Sequence, residues 1–155
     1  KRTFWMYQAG GFAYIYLCYG IHWLLNLTVQ DAEHPEVILI RAVEPVCGIE
    51  IMLQNRNYSA VKPAITAGPG AFTQAFGITG KLNGCDLCEG KKLWLAEDPN
   101  AQPFQIQSSP RIGVAYAEEH ALLPWRFWIH ANRFVSKHPK IKSGLISETF
   151  ESGNF

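Results

Sequence analysis

The sequence predicts an α+β fold, one domain around a largely antiparallel sheet. Three observations carry that expectation. Two aromatic and branched runs, Phe12 to Cys18 and Trp23 to Val29, flank Gly20, the pattern of two strands paired about a turn. A third run, Val37 to Val43, stops at Glu44-Pro45, where proline has no N–H to extend a ladder. Two short stretches, Gly48 to Asn55 and Gly68 to Phe76, carry helical signals instead.

In chain order, the first two runs form a hairpin with its tip at Tyr19 to His22. The stretch YIYLCYGIHWLLN carries three tyrosines, a tryptophan and a histidine around one glycine. Aromatics with polar tips suit a place where a ring packs on something flat while its far end meets water or a partner. Within Gly48 to Asn55, Ile49, Met52 and Leu53 share one helical face. Asn57 to Ile65 reads as a polar loop. Gly68-Pro69-Gly70 then opens a helix through Phe76, with proline in the first turn and Gly77 past the end. Further strands are expected at Leu93 to Leu95, Arg111 to Ala115 and Arg126 to Ile129. No repeat, low-complexity segment or domain boundary is visible, so residues 1–155 read as one domain, with about 137–155 a C-terminal tail.

With 48% apolar and 17% charged residues, the chain is not a disordered tail. The net charge of +1 gives no electrostatic argument for a polyanion or a membrane. The distribution is more informative: no acid occurs from His120 to Ser147, where Arg126, Arg133, Lys137, Lys140 and Lys142 lie among aromatics, whereas Glu33, Glu36, Glu44 and Glu50 cluster earlier. That later face could meet a polyanion or be a solvated basic surface. Thr3 to Gln30 has no charged side chain, yet Gly10, Gly11, Gly20, Asn26 and Thr28 and the central tyrosines do not fit a membrane span. No signal peptide is visible. Opening with Lys1 rather than Met, the chain reads as a fragment or a processed product.

Cys85-Asp-Leu-Cys88 has the spacing of a zinc knuckle, but Cys18 and Cys47 complete no second knuckle and no spaced histidine pair accompanies it. Four free thiols in a reducing cytoplasm or nucleus are expected, with no metal. The sequons at Asn26 and Asn57 are then accidental.

Four blocks, GGFAYIYLCYGIHWLLNLTVQ, VILIRAVEP, GPGAFTQAFGI and PRIGV followed by PWRFWIHANRFVS, resemble in order and spacing the alkyladenine (3-methyladenine) DNA glycosylases. The resemblance runs from Arg2 to about Ser136. It implies a curved sheet with a protruding hairpin that inserts into DNA, and a monomeric base-excision repair enzyme acting on double-stranded DNA with damaged purines, without cofactor, metal or membrane. Such an enzyme extrudes the nucleotide, and a side chain fills the hole left in the stack. Tyr19 matches the family's intercalating tyrosine, with Gly20, Ile21 and His22 completing the wedge. Tyr16 matches the tyrosine that stacks on the extruded base; its ring face attracts an alkylated, positively charged purine. Asn26 matches the pocket asparagine that rejects the amino group of guanine. Leu39 and Arg41 match pocket positions and share one side of an extended strand. Tyr14 is assigned to packing. Gly70, Ala71 and Arg111 are possible phosphate contacts, although Ala71 stands where the family often has a basic residue.

In the family the water-activating glutamate, a second stacking tyrosine and a pocket histidine precede the block that begins this chain. No acid present falls in a matching motif, so no general base is assigned, and the chain alone is expected to be inert. No family amine nucleophile is matched, so no lyase activity is expected. Two rivals stand beside the enzyme: a catalytically inactive damage-binding module that keeps wedge and pocket, and a protein-interaction domain using the Tyr/Trp hairpin as a hot spot.

Overall fold

Alternation along two neighbouring strands decides where the core lies. In the computed structural model, which describes residues 3–136 and the backbone of 146–150, β1 (Ala13–Cys18) and β2 (His22–Val29) pair antiparallel, from Ala13 opposite Leu27 to Cys18 opposite His22. β3 (Glu36–Leu39) lies along the other side of β2, with Leu39 opposite Asn26. Successive strand residues face opposite sides. Ala13, Ile15 and Leu25 therefore reach one face, where they pack with Phe72, Ile78 and Leu87. Tyr14, Tyr16, Leu24, Asn26 and Leu39 occupy the other.

The outer edge of β1 is covered by the segment that carries the Cys85-Cys88 motif. Ala13 N–H donates to Cys85 O, Gly84 N–H to Ala13 O and Leu87 N–H to Gly11 O, and Ile15 N–H donates to Asn83 Oδ1 at 2.8 Å. An unpaired strand edge is a liability, and these bonds remove it. Cys88 N–H bonds the Asp86 carboxylate at 2.8 Å, so the short cysteine spacing encloses a turn. All four cysteines are free thiols.

α1 (Ile49–Arg56) and α2 (Pro69–Ala75) pack on each other, and α2 packs on β2. Asn55 Nδ2 donates to Ala75 O at 2.9 Å, and Gln74 Nε2 donates to Asn55 O at 3.1 Å. Both helices lie where the sequence places them, with Pro69 in the first turn of α2 and Gly77 at φ +66° beyond its end. The expected polar loop contains a 3₁₀ turn, Pro63–Ile65, which buries Ile65 completely.

Three expected strands differ. The third stops at Leu39 because the chain changes partners: Ile40 N–H still donates to Leu25 O, but Ala42 bridges to Ala67, and Thr66 Oγ1 donates to Val43 O at 2.6 Å. Leu93 to Leu95 has a single backbone bond to Leu87 and leaves Trp94 and Leu95 more than half exposed, too little pairing for a strand. Arg111 to Ala115 is interrupted by Gly113 at φ +74° and runs into a 3₁₀ segment, Ala115–Ala121.

The chain forms two compact units, Lys1–Glu97 and Asp98–Phe155. The second is built on β4 (Phe104–Ser109), flanked antiparallel by β5 (Arg126–Ile129) and β6 (Ile146–Phe150). The described strands thus form two three-stranded sheets. β6 lies within the stretch read as a tail; residues 137–145 and 151–155 lie outside the described residues. Among the described residues no helix is long and apolar enough to cross a membrane.

Candidate nucleic-acid interface

The β1–β2 turn is closed by Ile21 N–H donating to Cys18 O at 3.1 Å, and its central residues, Tyr19 and Gly20, have φ of +49° and +73°. Two positive φ values match the twist of a tight hairpin. Glycine adopts them freely, whereas a tyrosine is strained there by about 1 kcal/mol. Tyr19 is also 94% exposed and Ile21 71%. Neither packing nor backbone preference accounts for a large ring at this position. Tyr19, Gly20, Ile21 and His22 are all exposed, so the four residues expected to form a wedge stand together at one tip.

Below the tip, the second face of the sheet gathers three of the four expected pocket residues. Asn26 is 4% exposed and sits between Tyr14 and Leu39 across the strands. Its Nδ2 donates to Tyr14 O at 3.1 Å, which fixes the amide. The Tyr14 ring is buried and lies 5.5 Å from that of Tyr16, tilted by 34°. Tyr14 is thus a packing residue, and it supports Tyr16, half-buried and two residues nearer the tip. Leu39 is half-buried beside them. Arg41 is different: β3 has ended, strand alternation no longer governs it, and it is exposed. An exposed guanidinium needs no buried carboxylate.

The foot of the hairpin is held by α2 and the turn after it. A Cβ added at Gly70 would lie 2.9 Å from His22 Cγ, and one at Gly80 2.7 Å from the Trp23 ring, so both glycines are sites of close approach. Thr73 Oγ1 donates to Trp23 O at 2.6 Å. The sequence reading missed Thr73 and Gly80; a glycine directly after Thr79 was the only visible signal. An open groove of about 590 Å³ lies here, lined among others by His22, Gln74 and Thr79.

The expected phosphate contacts do not share one unit. Gly70 and Ala71 are half-buried at the start of α2. Arg111, in the second unit, donates from Nη2 to His120 O at 3.1 Å and lies 5.2 Å over the Trp125 ring, which stacks on His120. In that unit Arg126 is 5% exposed and lies over Trp128, so it is no part of a solvated basic face, while Arg133 is exposed over Phe134. Lys137, Lys140 and Lys142 lie outside the described residues.

The carboxylates nearest in sequence to the tyrosine face lie at the surface. Glu33, Glu36 and Glu44 are exposed. Asp31 is held below the usual carboxylate range by the His34 ring, 3.0 Å away, and by the backbone N–H groups of His34 and Glu33. A carboxylate so stabilised in its ionised form is the capping group of a turn.

The sequence profile of methylpurine-DNA glycosylases (MPG) matches residues 1–133. The chain belongs to that family. Among relatives named "Putative 3-methyladenine DNA glycosylase", one from Natranaerobius thermophilus is 43% identical over 137 residues, covering 88% of this chain and 69% of that protein. One from Desulfitobacterium hafniense is 38% identical over 138 residues, covering 84% and 67%. A third, from Clostridium novyi, is 38% identical over 144 residues, covering 88% and 70%. In this methylpurine-DNA glycosylase family chain, the matched residues include the whole first unit and most of the described second unit.

Proposed function

We propose that the protein is a monofunctional DNA glycosylase of base-excision repair. It flips and excises alkylated or deaminated purines of the 3-methyladenine, hypoxanthine and ethenoadenine class from double-stranded DNA, by attack of water at C1′. The observation that carries this reading is Tyr19, a bulky ring kept in a left-handed turn and 94% exposed. A side chain held against backbone preference where it packs on nothing is explained by a contact made outside the protein. A stack of bases that has lost one member offers a flat, apolar slot for it.

Tyr16 then supplies the ring face for the extruded purine, worth about 1–3 kcal/mol, and more for a cationic alkylated base. Asn26, fixed by its bond to Tyr14 O, presents a rigid amide to the base edge. An amide that cannot turn away discriminates by unpaired polar groups and overlap. Leu39 adds apolar contact, and Arg41 a cation at the margin. The carboxylate that orients the water is proposed to come from the family's preceding segment, since Glu33, Glu36 and Glu44 are exposed. The same exposure favours the second reading, a damage-binding module without catalysis.

One experiment separates the two. The full-length gene product is incubated with a duplex containing hypoxanthine, and free base is measured for the wild type and for Tyr19→Ala. Release by the wild type, lost in the variant, supports the glycosylase. Tight binding to damaged duplex without release supports the inactive binder, and no preference for damaged duplex contradicts both.

A further inference from the structure

We propose that Tyr14 is the positioning residue of the base pocket, holding the Tyr16 ring through its own ring and the Asn26 amide through its main chain; this rests on the glycosylase reading above. The backbone around Tyr14 is fixed on both sides. Its neighbours Ala13 and Ile15 are buried in the core cluster. On the outer edge of β1 their N–H groups donate to Cys85 O at 2.9 Å and to Asn83 Oδ1 at 2.8 Å. Across the ladder Tyr14 lies opposite Asn26, and its own side chain is buried.

Tyr16 lies two residues nearer the tip and is half-buried. A ring so placed has more than one rotamer open to it, and a purine stacks on it only when its face is presented. The Tyr14 ring, 5.5 Å away and tilted by 34°, is within the range of an aromatic contact and narrows that choice. The Asn26 amide is held differently. Its Nδ2 donates at 3.1 Å to the Tyr14 carbonyl, a group that any residue at position 14 supplies. One residue thus sets both groups, the stacking ring by its side chain and the discriminating amide by its main chain, and a change of side chain separates the two. Groups that meet a substrate work only when the residues behind them lock their geometry.

Tyr14→Leu, Tyr14→Phe, Tyr16→Ala and the double variant Tyr14→Leu/Tyr16→Ala test this in the full-length protein. Base release from a hypoxanthine-containing duplex is measured at saturating enzyme, beside the dissociation constant for a duplex with an abasic analogue, in which no base fills the pocket. The temperature is one at which circular dichroism shows each variant folded; Tyr14→Met, which refills more of the space, replaces the leucine variant if that one never folds. Tyr14→Leu should release base about tenfold more slowly yet bind the abasic duplex within about twofold of the wild type. Tyr14→Phe, which keeps the ring, should match the wild type in both. Added to Tyr16→Ala, Tyr14→Leu should slow release no further, because it acts through the ring already removed. The preference for hypoxanthine over guanine should survive in Tyr14→Leu, since the carbonyl that holds Asn26 is still there. An unimpaired leucine variant, equal losses of release and abasic binding, a phenylalanine variant as slow as the leucine one, additive losses in the double variant or a lost preference against guanine would each overturn the proposal and leave the glycosylase reading standing. If the wild type releases no base, that reading fails and takes the proposal with it.

Discussion

At the scale of the residue, the tip tyrosine separates packing from function. Tyr19→Ala removes a ring that touches almost nothing in the protein, so stability should change by less than about 1 kcal/mol. Tyr19→Gly removes the same ring and also relieves the positive φ, so it should be at least as stable as the alanine variant. Both should lose most excision activity in the full-length protein. Thermal denaturation beside a base-release assay checks this; a loss of several kcal/mol with activity intact would make the ring a core residue. Asn26→Ser makes a different prediction. Removing the Nδ2 donor from Tyr14 O in a buried site should cost about 1–3 kcal/mol. The smaller side chain should relax discrimination against guanine while partly keeping activity on alkylated adenine, measured as relative release of the two bases. If guanine stays as poorly processed as before, the steric role of Asn26 is wrong. The positions of Tyr16, Tyr19, Asn26 and Leu39 were legible because alternation and a glycine turn suffice to place them. That of Arg41 was not, since it depends on where β3 stops.

At the scale of the element, the hairpin matters as a lever with a fixed foot. Thr73→Val leaves Trp23 O without its donor and should cost about 1–3 kcal/mol. Gly80→Ala drives a Cβ to 2.7 Å from the Trp23 ring, an overpacking also expected to cost about 1–3 kcal/mol. Each should lower the melting temperature, and at temperatures where both remain folded each should reduce excision more than binding to undamaged duplex. Equal effects on the two would mean that the foot only stabilises the fold. The strands of this hairpin were readable because they are aromatic and branched and end at Gly20. β4 was missed because FQIQSS is rich in Gln and Ser and becomes a strand only by lying between β5 and β6. Arg111 to Ala115 failed in the opposite way: its branched residues look extended, but Gly113 turns the chain.

At the scale of the whole molecule, overall charge said little. A net charge of +1 hid an acid-free groove whose members come from three separate stretches of sequence, an arrangement that only folding reveals. The chain spans about two thirds of the relatives named above, and its carboxylates near the tyrosine face are exposed. The central claim is that this chain holds the flipping and base-recognition parts without the group that activates water. The most direct test takes the 155-residue chain alone, shown to be folded by circular dichroism, and measures free base released from hypoxanthine-containing duplex alongside binding to a duplex with an abasic analogue. Binding with release lower by orders of magnitude than that of the full-length protein is the predicted result. Release at the full-length rate would contradict the claim and move the search for the carboxylate to Glu33, Glu36 and Glu44.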